Sequence, residues 1–573
     1  MAVSSTVVMA VGDVLLPLWQ SRAVDQFLLK ASRNGIGQYI LLYLVLAVFQ
    51  VGGIILFCRS GFLLEMGTAK GMKDACFRNL QQLSMDYYAE HGVGHILSRV
   101  MSDTDRIATQ IGWNVTDFIW GMIYIVGVYA VLLYLNPVLA GMLLVIAPVV
   151  AALTLYFQSR LVKQNREVRE RHSRITSAYN EGITGVRTAK MLAVSKKLQQ
   201  EFQNETAAYV RASLIHGHIR SLYVPLVILC GSIGACAMLA FGGKRVIAGT
   251  MSIGTLSAFV SYSLGLFDVF RNQAQRLSNL ISLQACVERV TQLVHEVPTV
   301  QDTQEAIEKY GDMFHPKLEN WEKIEGTVEF EDVSFTYPDG GEEVLSHFNL
   351  HIPQGSTVAI VGETGAGKST IVNLICRFYE PTHGKVKIDG VDIRERSQLW
   401  LHSHIGYVLQ SPHLFSGTLL DNIRYGRPEA SDAEVMEAAR AVCVDQIAQQ
   451  LPNGLYTQVG ECGDRLSAGE KQLISFARAL LAKPKLFILD EATSAVDTIT
   501  EKHLQEATKL LMRDTTSFVI AHRLSTIREA DLILVVSGGK IVEKGTHESL
   551  LHENGKYAEL VRAQQSIWKE NSD

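Results

Sequence analysis

Six apolar runs, long enough or nearly long enough to cross a bilayer, occupy the first half of this chain: Val3–Trp19, Tyr39–Phe57, Val115–Tyr134, Val138–Phe157, Leu222–Phe241 and Ile253–Phe270. A hydrocarbon layer offers no water to backbone groups, so runs of this kind must be helices that satisfy their own N–H and C=O groups. The first half is therefore expected to be an all-α membrane domain of six spans. Its first run is the shortest, is interrupted by Asp13, and is expected to end at Pro17.

Between the second and third runs, and again between the fourth and fifth, lie helix-compatible segments too polar for lipid. They are expected to continue the spans well past the membrane. Twelve Lys or Arg fall between Arg160 and Arg220, whereas the short loops on the other side hold Arg22, Lys30, Arg33, Lys244 and Arg245. The positive-inside rule places the long segments and both termini in the cytoplasm. Asp13, Asp117 and the pair Asp268 and Arg271 are expensive to bury in lipid. They are expected either to line a polar translocation cavity or to form structural ion pairs.

Charged residues make up 19% of the chain and the net charge is −5, which gives no electrostatic reason to expect a nucleic-acid partner. The eight cysteines show neither Cys-x-x-Cys pairs nor metal-ligand spacing, so reduced thiols are expected. Residues 1–297 are taken as the membrane domain. A polar linker follows at 298–326, and an α/β domain at 327–573.

Within that α/β domain, Gly362-Glu363-Thr364-Gly365-Ala366-Gly367-Lys368-Ser369-Thr370 follows the apolar run Thr357–Val361 and precedes Ile371–Ile375. Strand, glycine loop and helix in this order form a cradle whose backbone N–H groups face a β-phosphate. Lys368 reaches the β- and γ-phosphates and Ser369 offers a hydroxyl to Mg²⁺. The apolar run Leu486–Leu489 ends in Asp490 and Glu491, as a strand buried on both faces would. Asp490 is placed to hold Mg²⁺ through water, and Glu491 to polarise an attacking water. Thr327–Tyr337 alternates like an edge strand and ends in an aromatic that could stack on adenine.

Gln410, Leu466-Ser467-Ala468-Gly469-Glu470, Asp490-Glu491, Ser494-Ala495-Val496-Asp497 and His522, in this order, resemble the ATP-binding cassette of ABC transporters. With six spans in front, the whole chain resembles an ABC exporter half-transporter. Residues 85–105 and 180–187 are similar to the first and second intracellular loops of that family. The resemblance implies a type IV exporter fold, all-α in the membrane, followed by an α/β P-loop NTPase domain. It also implies roles. Tyr337 stacks adenine, Gly362 to Thr370 bind the phosphates of ATP, and Gln410 bridges Mg²⁺ to the membrane domain. Glu491 acts as general base, His522 contacts the γ-phosphate and Asp497 links two sites. Ser467 and Gly469 contact ATP held by the opposite chain.

The family signature usually reads Leu-Ser-Gly-Gly-Gln, and here Ala468 and Glu470 depart from it. A carboxylate there repels phosphate unless something offsets it. Together with the intact Glu491 and His522, this implies a heterodimer whose second half-transporter has an altered catalytic acid; a homodimer is the alternative. Amphipathic drugs or lipids are the expected substrates, in a bacterial inner membrane. A homodimeric lipid flippase, a peptide exporter and an ATP-gated channel or sensor are the competing readings. The spans exclude a soluble cassette acting on nucleic acid, and the order membrane domain then cassette disfavours an importer.

Overall fold

In a computed structural model of the chain, the described residues are 2–29, 35–338, 340–460, 463–490, 498–521 and 524–570. They form two compact units, one of Met1–Gln81 with Val93–Glu296 and one of Gln82–Gly92 with Val297–Asp573.

The first unit is helical. Six of its helical stretches are long and apolar enough to cross a membrane: Ala2–Leu28, Ile36–Gln82, Val93–Leu135, Pro137–Thr184, Ser195–Ile247 and Ile253–His295. Most run far beyond the apolar runs, as the lack of breakers required. The principal helices of the chain's first half are α1 (Ala2–Ala23), α2 (Ile36–Gln82), α3 (Met85–Glu90), α4 (Thr116–Leu135), α5 (Pro137–Thr184), α6 (Ser195–Ile247) and α7 (Ile253–His295); α3 belongs to the second unit.

Local chemistry sets where these helices begin. Asn136 caps α5, its side chain accepting from the backbone N–H of Val138 (3.2 Å) and Leu139 (3.3 Å), with Pro137 in the first turn. Ser252 caps α7 by accepting from Thr255 N–H at 3.0 Å.

Pro17 does not end the first helix, contrary to the expectation: α1 continues through it to Ala23 and on into a π-helical turn, Val24–Leu28. Proline frees only the carbonyl one turn back, whereas unwinding would expose several backbone groups to lipid. The core of the bundle is formed by Val128, Leu132, Leu143, Val150, Val227, Met238, Phe259 and Tyr262.

Asp13, Asp117, Asp268 and Arg271 each have a partner. Asp13 accepts from Gln50 Nε2 (2.6 Å) and Trp120 Nε1 (2.9 Å). Asp117 pairs with Arg276 at 3.0 Å, and Asp268 with Arg271 at 3.3 Å.

The second unit holds two sheets. One is antiparallel, in the order β2-β1-β4-β5, from β1 (Val328–Phe335), β2 (Leu345–Ile352), β4 (His383–Ile388) and β5 (Val391–Asp392). β1 is therefore an inner strand, not the edge strand its alternation suggested. Alternation reports one buried face and says nothing of how many neighbours a strand has.

The other sheet runs β10-β9-β3-β8-β7-β6, from β3 (Thr357–Val361), β6 (Ile405–Val408), β7 (Leu486–Asp490), β8 (Thr516–Ile520), β9 (Leu532–Ser537) and β10 (Lys540–Gly545). All but β10 are parallel. Side chains alternate between two cores: Ala359, Phe487 and Leu489 enter one, while Val358, Ile360 and Ile488 enter the other. Burial on both faces explains why these strands are continuous apolar runs.

The segment expected to be an irregular linker is partly folded. Its helix α8 (Gln304–Tyr310) is capped by Thr303, and Ala306, Tyr310 and Ile324 are buried in the same core as β1.

Candidate functional site

At the end of β3 the chain turns through residues 362–367 into α9 (Lys368–Ile375). Gly367, just before α9, has φ +103°, in the left-handed region. At Gly362 a Cβ would lie 2.2 Å from the carbonyl oxygen of Val536. Thr364 and Gly365 are exposed on the loop, and Ala366 is buried beneath it. The first N–H groups of α9 have no helical partner, which makes this end a seat for an anion.

Lys368 is 9% exposed, and its Nζ donates to the carbonyl oxygens of Gly362 and Glu363, both at 2.8 Å. The ammonium is thus curled over the loop on two neutral acceptors that phosphate oxygens can replace. Burial pushes its pKa down, and the nearby charge of Asp490 opposes that shift.

The parallel strands bring three loops to one end of the sheet. Asp490 closes β7, which is separated from β3 by β8 alone. Gln410 lies two residues beyond β6, whose Val408 is in register with Leu489. The Ser369 hydroxyl and Gln410 are exposed and Asp490 is half-buried. Hydroxyl, carboxylate and carboxamide oxygens are the donors a hard divalent cation takes, so this set fits Mg²⁺.

Tyr337 lies just past β1, half-buried. Its hydroxyl is 3.0 Å from Thr370 Oγ1, and its ring stands edge-on to Phe335 (4.8 Å) and Tyr379 (5.2 Å). Tyr337 and Thr370, thirty-three residues apart, are thereby joined beside the phosphate loop.

Ser467 and Gly469 open α10 (Ala468–Ala482). The Ser467 hydroxyl accepts from the N–H of Glu470 (3.3 Å), and the Glu470 carboxylate accepts from the N–H of Ser467 (2.7 Å). This reciprocal cap puts the negative charge of Glu470 against a helix N-terminus, which offsets part of it. The spacing Ser-x-x-Glu was the available signal for it. Among the described residues no hydrogen bond or ion pair joins Ser467 or Gly469 to residues 362–370 of the same chain. Glu491, Asp497 and His522 lie outside the described residues.

Comparison with known proteins gives a consistent result. Residues 1–270 match the family described as the ABC transporter transmembrane region, and residues 345–494 match the ABC transporter family. The chain is 34% identical to the ABC transporter ATP-binding protein YfiC of Bacillus subtilis, over 97% of this chain and 90% of that protein. It is 37% identical to the fatty acid ABC transporter ATP-binding/permease protein of Mycobacterium bovis, over 91% of this chain and 81% of that one. A solved structure of a bacterial Atm1-family ABC exporter with ATP bound superposes with a TM-score of 0.82 at 25% identity, covering 98% of this chain and 97% of the other.

Proposed function

The chain belongs to the ABC transporter family, with membrane and ATP-binding domains fused on one polypeptide, and from this we propose that it exports amphipathic drugs or lipids by alternating access of a dimer of half-transporters. It is a multi-pass membrane protein with six spanning helices and an ATP hydrolase coupled to transport. A cytoplasmic location of both termini fits the concentration of Lys and Arg between residues 160 and 220, and the bacterial relatives support a bacterial inner membrane.

The observation that carries the reading is Lys368, folded over a glycine loop beside Asp490 and fused to six spans. On ATP binding, Lys368 exchanges its two carbonyl partners for β- and γ-phosphate oxygens. Gly362, Thr364, Gly365, Ala366, Gly367, Ser369 and Thr370 enclose the phosphates, and Tyr337 stacks on the adenine. Ser369, Asp490 and Gln410 would hold Mg²⁺, which would supply positive charge against the phosphates. Glu491 polarises the attacking water and His522 contacts the γ-phosphate. Positioning and charge stabilisation then supply most of the catalysis.

Ser467 and Gly469 meet the ATP of the opposite chain, and Asp497 links the two sites. ATP binding moves the spans only if the closed pair of cassettes holds ATP more tightly than the open pair. The fatty acid transporter among the relatives supports a lipid substrate.

Ala468 and Glu470 support a different half-transporter as partner, one with an intact signature. The reciprocal cap between Ser467 and Glu470 favours a second reading, a homodimer in which Glu470 is harmless. ATPase activity of the reconstituted chain, alone and with any copurifying half-transporter, separates them. Activity that needs the partner, is lost with Glu491→Gln and responds to amphipathic compounds supports the heterodimeric exporter. Full activity of the lone chain at both sites selects the homodimer, and hydrolysis indifferent to every drug and lipid tested would sink the export reading.

A further inference from the structure

The helix that begins at the phosphate loop ends in an unusual way. α9 stops at Ile375, and Arg377 follows with φ +53°, in the left-handed region where glycine is cheapest. The N–H of Arg377 bonds the carbonyl of Leu374 (3.1 Å) and the N–H of Phe378 that of Asn373 (2.9 Å), closing the helix end. An arginine kept at a position that favours glycine must be held by its side chain.

That side chain is 1% exposed, and each nitrogen of its guanidinium is engaged. Nε donates to Glu380 (3.1 Å), Nη1 to Asp302 (2.9 Å) and the carbonyl of Arg396 (2.8 Å), and Nη2 to Glu380 (2.9 Å) and the carbonyl of Gln301 (2.7 Å). A planar fork with every donor used cannot turn without breaking several bonds at once.

The same connections extend further. Asp302 also accepts from Gln398 N–H at 3.1 Å, and the side chain of Gln398 donates to the carbonyl of Val300 at 3.3 Å. Val300 N–H donates to the Ser84 hydroxyl at 3.0 Å, and the Thr299 hydroxyl to Asp86 at 2.8 Å. Residues 82–92 belong to the same compact unit as the phosphate loop. In sequence they follow directly on α2. On the nucleotide side, Tyr337 packs on Tyr379, two residues beyond Arg377, so the adenine end of the site also abuts residues 377–380.

We propose that Arg377 is a positioning residue that makes residues 299–302, and through them Ser84 and Asp86, follow the movement of α9 when ATP fills the phosphate loop. The inference rests on the reading of the chain as an ATP-driven transporter. α9 has eight residues, a rod about 12 Å long, with the phosphates at one end and Arg377 at the other. A tilt at its N-terminus therefore displaces the guanidinium, and the saturated hydrogen bonds carry that displacement to residues 299–302.

The test uses the full-length protein in nanodiscs, in a Glu491→Gln background that retains bound ATP, with amide hydrogen exchange read with and without ATP-Mg²⁺. The parent is expected to slow exchange both at 362–375 and at 82–92. Arg377→Lys breaks the relay at its centre, but that buried change can also unfold the unit. The far end is therefore cut instead, with Ser84→Ala and Thr299→Val together. The expected result is protection at 362–375 within twofold of the parent and protection at 82–92 reduced at least fivefold. In the wild-type background the same pair of changes is expected to leave KM for ATP within twofold and to lower kcat at least threefold. Thr299→Ser, which keeps the hydroxyl, behaves as the parent. Unchanged ATP-dependent protection at 82–92 in the double variant, or a loss that Thr299→Ser shares, overturns the proposal. The export reading is judged separately, by whether amphipathic compounds stimulate wild-type hydrolysis.

Discussion

The carboxylate of Glu470 turns back onto the backbone N–H of Ser467 at 2.7 Å, while the Ser467 hydroxyl receives the N–H of Glu470 at 3.3 Å. Glutamine reproduces this geometry and alanine does not. Glu470→Gln should keep the unfolding free energy within about 0.5 kcal/mol of wild type, and Glu470→Ala should lower it by about 1 kcal/mol. Denaturant unfolding of the purified protein compares the two. Equal losses in both would mean that the charge, and not the cap, matters there.

Lys368 donates to two loop carbonyls that its removal would leave facing solvent or ligand. Lys368→Met should fold, since its two acceptors are neutral carbonyls, but it forfeits a charged bond to phosphate worth about 2–3 kcal/mol. ATP affinity should fall by about 30- to 150-fold, as read by a fluorescent ATP analogue. Affinity within threefold of wild type would remove Lys368 from the phosphate site.

Gly367 sits at φ +103°, and an added Cβ would also lie 3.1 Å from Leu345 Cδ2. Gly367→Ala should destabilise the nucleotide unit by about 1–2 kcal/mol and weaken ATP binding in parallel, because the helix end that receives phosphate shifts with it. Thermal unfolding and nucleotide titration of the same preparation check both effects.

His402 is half-buried, its Nε2 lying 2.8 Å from the carbonyl of Cys376. Burial, the largest influence, holds its pKa below the usual histidine value, with the Cys376 carbonyl and Asp302 acting against it. The folded protein therefore keeps the ring neutral at pH values where the unfolded chain has begun to bind a proton. Stability from this group is complete above about pH 6.5 and is lost as pH falls below that value, by up to about 1.4 kcal/mol per pH unit. His402→Gln retains a donor for the Cys376 carbonyl and should flatten the fall in melting temperature between pH 7 and 5. An unchanged slope in that variant would assign the acid sensitivity to other groups.

The parts legible in the sequence are those that depend on neighbours along the chain. Apolar run length announced the six spans, and the offsets of Gly362, Lys368 and Ser369 announced a strand, a glycine loop and a helix in succession. The misread parts depend on partners far away. Whether β1 lies at an edge is decided by β2 and β4 pairing on its two sides, and Pro17 sits mid-helix because lipid penalises a break more than a missing hydrogen bond. The bond between Thr299 and Asp86 spans 213 positions. No periodicity or motif encodes a contact of that kind, so the attachment of residues 82–92 to the second unit could emerge only from the fold.

The order β10-β9-β3-β8-β7-β6 also has a consequence for biosynthesis. Both hydrogen-bonded neighbours of β3, which leads into the phosphate loop, come from beyond residue 515. During translation the loop leaves the ribosome about 150 residues before either neighbour exists. By then all six spans have been made and can already be in the bilayer, while the nucleotide site waits for nearly the end of the chain. A message truncated before β8 would leave an inserted membrane domain with no assembled ATP site, so the cell cannot obtain a working motor from an unfinished chain.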